Sequence, residues 1–254
     1  MISWELPLLT GRLYHLTIHI MAKKHGKKYN EARKLIEKDF YTIDEALELL
    51  KKTAVTKFDS SCEAHFNLGL DPKNAEENIR TAVELPHGTG KDVRIAAFVD
   101  ESSVKSAKAA GAVEAGTEEL VKKIEKGWSD FDVAVATPDQ MKELGKIAKI
   151  LGQKRLMPSP KAGTVTPDFA KAIEALKHGK VELRVDKEAN LHNIFGKVSY
   201  DDAKLKENLK VLIKAVLDVK PASSKGTYIK SLTLTTSMGP GISLDVNKAI
   251  SESK

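Results

Sequence analysis

The stretch LPHGTGK, residues 85–91, divides the chain into two grammars. Upstream, apolar residues recur at the two-residue period of a strand buried on one face. Ile79, Thr81, Val83 and Leu85 make one such run, and Cys62, Ala64, Phe66, Leu68 and Leu70, set against Glu63, His65, Asn67 and Gly69, make an earlier one. Before these, Thr42 and Glu45 have capping-box spacing at the head of a helix whose stripe is Ile43, Ala46, Leu47, Leu50 and Ala54. A short basic helix is expected over residues 30–38. Downstream of residue 91, short apolar runs at 93–99, 112–115 and 133–136 alternate with helical patterns at 102–110, 117–126, 139–151 and 168–176. Alternation of that kind predicts a small parallel sheet covered by helices.

After Gly179 the first grammar returns. Val181, Leu183 and Val185 alternate, a second strand covers 191–198, and a helix over 202–219 turns Leu205, Leu209, Leu212, Ile213, Val216 and Leu217 inward. A hydroxyl-rich strand and a run at 242–246 close the chain. The fold class is therefore mixed, α/β and α+β. Residues 22–87 and 180–254 are expected to share one antiparallel sheet in a split α+β domain, with a Rossmann-like parallel domain, 88–179, inserted between them. Two crossings join the domains, and Gly88, Gly90 and Gly179 mark a hinge.

The hydroxyl-rich strand, SLTLTTSMGPG at 231–241, carries the functional reading. Ser231, Thr233, Thr235 and Ser237 share one face, and Leu232, Leu234 and Thr236 the other. Met238, Gly239, Pro240 and Gly241 follow, where the two glycines bare the backbone to a ligand. Hydroxyls and peptide groups bond ribose 2′-OH and phosphate without a charge at every contact, which suits an RNA groove. A half-exposed strand ending in a turn would show the same pattern.

The 254 residues are 41% hydrophobic and carry 41 Lys+Arg against 35 Asp+Glu, a formal charge of +6. That balance admits a polyanionic partner without requiring one. Residues 21–40 hold seven basic and three acidic side chains, so the lysines at 23–28 form a candidate polyanion arm. The single cysteine, Cys62, excludes an intramolecular disulfide and sits on the apolar side of its strand, as a buried small hydrophobe. No histidine has zinc-site spacing with it, so no metal site is expected.

Residues 1–20 lack the basic start of a signal peptide and the length of a membrane span. They are expected to be an unstructured extension, residues 1–21, ahead of a start at Met21. PHGTGK lacks the earlier glycine and the Ser or Thr of a phosphate loop, GAVEAG is not a dinucleotide fingerprint, and no nucleophile elbow or zinc-protease motif occurs. An enzyme is not expected, no catalytic residue is assigned and no cofactor is expected. A two-domain small-molecule binder, with its ligand in the interdomain cleft, is the alternative to an RNA-binding protein.

Five motifs in order, LPHGTGK, LMPSPKAGTVTP (156–167), KLKENL (204–209), KGTYIK (225–230) and TTSMGPG (235–241), resemble the ribosomal protein L-one family of the large subunit in its bacterial form. The resemblance covers residues 21–247. It implies a cytoplasmic, ribosome-bound, two-domain protein on the mobile stalk beside the exit site. Such a protein binds large-subunit rRNA, assists release of deacylated tRNA and represses its own mRNA. Carried over by motif, the RNA contacts are Lys57, Phe58, Ser231, Ser237, Met238 and Gly239, to which the hydroxyl row adds Thr233 and Thr235. Ser237 stands where the family usually has threonine; the hydroxyl is kept and a methyl lost. With 6% aromatics and Phe58 the evident exposed one, shape and ribose readout are expected to outweigh base stacking.

Overall fold

The computed structural model describes residues 25–74, 77–224 and 226–253; the expected extension at 1–21 lies outside them. Helices α1 (Lys27–Lys34) and α2 (Ile43–Lys52) lead into strands β1 (Ser61–Leu68) and β2 (Arg80–Glu84). Next come β3 (Ile95–Phe98), α3 (Val104–Ala110), β4 (Glu114–Ala115), α4 (Glu118–Glu125) and β5 (Val133–Ala136). Helices α5 (Met141–Leu144), α6 (Ala148–Gln153) and α7 (Phe169–Lys177) follow. The chain closes with β6 (Lys180–Arg184), β7 (Asn190–Lys197), α8 (Asp202–Asp218), β8 (Ile229–Thr236), β9 (Ile242–Ser243) and α9 (Val246–Ser253).

Strands from the two chain ends interleave in a four-stranded antiparallel sheet of order β7-β1-β8-β9. Cys62, Ala64, Phe66 and Leu68 of β1, Leu191 and Phe195 of β7, and Leu232 and Leu234 of β8 all point to one side, where α2, α8 and α9 cover them. Each Leu or Phe buried in this way contributes about 1.5–3 kcal/mol relative to exposure. The other face is left without a helix, and it is there that the polar alternates of all three strands emerge.

One antiparallel sheet was expected for these segments; there are two. β2 pairs with β6 in a separate antiparallel ribbon. The ribbon reaches the larger sheet through the Val185–Leu191 bridge. Beyond that bridge the buried carboxamide of Asn193 donates to Glu182 O at 2.9 Å, so a side chain satisfies the carbonyl that a continued ladder would have used.

The middle segment forms the parallel sheet, order β4-β3-β5. All four residues of β3 are buried, because both its faces are covered. Ala96 and Phe98 pack with Leu120, Ile124, Leu144 and Ile147, whereas Ile95 and Ala97 pack with Ala107, Ile173 and Leu176.

Two helices and the run at 242–246 differ from expectation. The single helix expected at 139–151 is split into α5 and α6 by a 3-10 turn at Gly145–Ile147, where glycine weakens the helical state. The basic helix lies at 27–34 rather than 30–38. The residues after it fold instead around Tyr41, whose hydroxyl accepts from Glu37 N and Lys38 N, both at 2.8 Å. The run at 242–246 yields a two-residue strand and then α9, which Asp245 caps by accepting from Asn247 N at 3.1 Å and Lys248 N at 3.3 Å. The capping box of α2 forms as read. Thr42 and Glu45 exchange hydrogen bonds, and the Lys38 ammonium donating to Glu45 holds that carboxyl down at about 2. No described helix is long and apolar enough to cross a membrane.

Candidate nucleic-acid interface

Because cross-strand partners share a face, the register of the four-stranded sheet lays out its open side residue by residue. Ser231 lies opposite Asn67, Thr233 opposite His65, and Thr235 opposite Glu63. On the next strand His192 lies opposite His65 and Asn190 opposite Asn67, while Ser243 of the edge strand lies opposite Thr233. The hydroxyl row foreseen on β8 is thus one column of a wider surface of hydroxyls, carboxamides and imidazoles. The other columns escaped the sequence reading. Their signal was present in the polar alternates of β1, but the partners on β7 depend on a register shift at Cys62/Glu63 that no local pattern announces.

Two side-chain ladders run across this face. Asn67 donates to Asn190 Oδ1 at 2.7 Å, and the Nδ1 atoms of His65 and His192 approach to 2.8 Å. The histidine pair requires a lone pair on one ring and a proton on the other. Partial burial, and then the His192 charge, hold His65 below its ordinary value, with Glu63 pulling the other way. Beneath the face, burial pushes the Cys62 thiol up to about 12, so it is a packing group.

At one end of the sheet the two predicted contact segments meet. Ser237 N donates to Ser61 O at 3.1 Å and the Ser237 hydroxyl accepts from Ser61 N at 3.3 Å, which ties the end of β8 to the start of β1. Lys57 and Phe58 therefore lie three to four residues along the chain from the point where Ser61 and Ser237 pair, although about 180 residues separate the two segments in sequence. The loop holding Phe58 is fixed by Thr56 donating to Phe58 O at 3.1 Å and by Asp59 accepting from the Ser199 hydroxyl at 2.8 Å. Phe58 is 63% exposed and Met238 77% exposed.

Met238 also has φ +64°, a left-handed backbone that costs an L-residue about 1–2 kcal/mol. Its neighbours hold it there. Gly239 N donates to Thr236 O at 2.8 Å, and a Cβ on Gly239 would land on the Thr236 hydroxyl. Thr235 spends its proton within the turn, on Thr236 O and Gly239 O, both at 3.1 Å, so it shapes the turn more than it offers a donor. Ser231 is exposed and Thr233 half-buried, and neither hydroxyl has a partner among the described residues.

The three glycines read as a hinge all have positive φ: 65° at Gly88, 71° at Gly90 and 101° at Gly179. Gly88 and Gly179 lie back to back, since a Cβ on Gly179 would strike the Gly88 Cα. The first crossing is tethered by Asn208 of the KLKENL motif, whose buried carboxamide accepts from His87 N at 3.1 Å and donates to Gly88 O at 2.9 Å and Phe195 O at 2.8 Å.

Two clefts lie between the β2–β6 ribbon and the inserted segment, one of about 250 Å³ against residues 155–164 and one of about 440 Å³ against residues 163–175. The smaller is lined by the Arg80–Glu182 pair, by Asp132, Arg155 and Arg184, and by apolar Leu156 and Met157. Both are lined more by polar than by apolar surface, unlike the usual small-molecule site.

The fold leaves one sheet face lined by hydroxyls, carboxamides and imidazoles. The chain belongs to the Ribosomal protein L1p/L10e family, whose model matches residues 50–240. It is 50% identical to the Large ribosomal subunit protein uL1 of Kosmotoga olearia over 228 residues, which cover 89% of this chain and 99% of that protein. Members of this family are ribosomal proteins, not enzymes.

Proposed function

We propose that the chain is a cytoplasmic constituent of the large ribosomal subunit that binds large-subunit rRNA through the open sheet face and the turn at Met238. The observation that carries this is an exposed, left-handed Met238 at the end of a hydroxyl row, with an exposed Phe58 on the segment leading into the neighbouring strand. Strain held in an exposed apolar residue marks a functional position, because packing gives no reason to keep it. The contacts are Lys57, Phe58, Ser231, Thr233, Ser237, Met238 and Gly239, with Thr235 shaping the turn. Residues 22–87 and 180–254 act as the RNA-binding domain. Residues 88–179 form an inserted domain that turns about Gly88, Gly90 and Gly179. Separate apolar cores for the two parts support that division. Release of deacylated tRNA at the exit site and repression of the chain's own mRNA are the finer roles that family membership suggests.

Binding of a large-subunit rRNA transcript, measured across salt, tests the reading. Each phosphate neutralised steepens the slope of log K against log salt by about 0.7–0.9. A face built from hydroxyls, amides and one methionine predicts a slope shallower than about −5. A slope near −10, or no preference for rRNA over unrelated RNA, would move recognition to lysines elsewhere.

A further inference from the structure

Phe40 is 65% exposed, as open to solvent as Phe58, and composition alone did not single it out. It lines a groove of about 330 Å³ with Lys230, Ser231, Leu232, Ser243 and Asn247. Ser231 belongs to the hydroxyl row, and Ser243 lies opposite Thr233 on the same open face. The groove is therefore continuous with the proposed RNA surface, at the end away from Met238. From Ser231 to Ser237 is six residues of strand, about 20 Å.

The ring is held out by a preformed loop. Tyr41, its neighbour, is buried, donates its N–H to Ser243 O at 3.0 Å, and gathers Glu37 N and Lys38 N onto its hydroxyl. Asp245 N closes the segment by donating to Tyr41 O at 3.0 Å. An aromatic presented in this way loses little freedom when a ligand covers it. The groove's other groups suit a nucleotide. Among the described residues Lys230 has no anionic partner and the Asn247 carboxamide and the Ser231 and Ser243 hydroxyls have no hydrogen bond, while Asp245 caps α9 through Oδ1 and has its other oxygen 3.9 Å from the Lys248 ammonium.

We infer that Phe40 is a second RNA contact: an unpaired base stacks on its ring while Lys230 meets the adjoining phosphate and Asn247 reads the base edge. This rests on the rRNA reading above, and extends it from one end of the sheet to the other. Stacking on an aromatic ring suits any base, so the contact adds affinity more than sequence preference.

The test uses the full chain and a large-subunit rRNA transcript. Phe40→Ala is expected to weaken binding about tenfold, within the range found when an aromatic stacking platform is cut to alanine. Its melting temperature should stay unchanged, and Phe40→Trp should restore affinity to within about threefold of the parent. Irradiation of the complex should cross-link a nucleotide to the peptide containing Phe40. Full affinity in Phe40→Ala alongside a loss in Met238→Ala overturns the Phe40 contact and leaves the rRNA reading standing. No specific binding by the parent chain overturns both. Self-association of the RNA-free chain that Phe40→Ala abolishes would assign the groove to a second copy and overturn the proposal.

Discussion

Replacing Met238 separates the cost of the turn from its use. The side chain is 77% exposed, so Met238→Ala removes almost no buried surface and keeps the same left-handed backbone. Stability should change by less than about 0.5 kcal/mol, as for surface substitutions in general. Met238→Gly is different. It removes the left-handed penalty of about 1–2 kcal/mol and adds about 0.4–1 kcal/mol of unfolded-chain entropy. The net is a gain of up to about 1.5 kcal/mol, or up to about 6 °C in melting temperature for a chain of this size. Both variants lose the same RNA contact. If that contact is worth about 2 kcal/mol, by analogy with central residues of protein interfaces, affinity falls about thirtyfold. Melting curves and filter binding to an rRNA transcript, run on all three proteins, give the two readouts. A Met238→Ala protein that melts several degrees lower, or binds as tightly as its parent, would refute the assignment. A larger affinity loss from Lys24→Ala would shift recognition to the N-terminal basic run.

Three other outcomes follow from the geometry. The His65–His192 pair makes stability depend on pH. His65 is held below its ordinary value, so the unfolded chain binds more protons in that window, and stability should be lost as pH falls from about 6.5 toward the lowered value; His65→Gln should flatten the dependence of the denaturant midpoint between pH 5 and 7.5, and an unchanged profile would place it in other groups. Asn208→Ala strips partners from His87 N, Gly88 O and Phe195 O at once and should cost about 3 kcal/mol or more, read as a drop in denaturant midpoint; a cost under about 1 kcal/mol would mean water replaces the clamp. Excising 88–179 and joining the adjacent crossings with a short Gly/Ser linker should leave a folded protein that binds rRNA, and a folded but non-binding product would place part of the site in the excised segment.

Local periodicity made most of this fold legible. The alternation in β1, β7 and β8 and the short apolar runs of β3 and β5 each state a burial pattern that a strand with one or two covered faces must have. The return of the first grammar after Gly179 revealed that the chain ends come back together. What stayed hidden depends on choices between distant partners. That β2 pairs with β6, and that this ribbon forms a sheet of its own, is a choice between strands about 100 residues apart. A strand reading of 242–246 overlooked Asp245 as a cap followed by Val246, Ala249 and Ile250 at helical spacing. In the site, the sequence placed hydroxyls on one face of β8. It did not show that Thr235 would be consumed by the turn, or that His65 would face His192. Phe40 went unnoticed because exposure of a single aromatic between two helices is settled only by how Tyr41 folds the loop beneath it.

Two unfavourable features coincide at the end of β8. Met238 holds a left-handed backbone, and one residue pair away the buried Thr236 hydroxyl has no hydrogen-bond partner among the described residues. An unsatisfied buried hydroxyl costs about 1–3 kcal/mol, and the backbone about 1–2 more. Asn208 shows the contrasting case, a buried carboxamide with donors and acceptor all engaged at the domain crossing. A fold able to satisfy Asn208 so fully had no packing reason to leave the turn strained. Glycine at 238 would relieve the backbone, and valine at 236 would fill the same space without an orphaned hydroxyl. Both costs persist in the turn that presents an exposed apolar side chain at the end of the hydroxyl row, which is the expected signature of a conformation kept for what it touches.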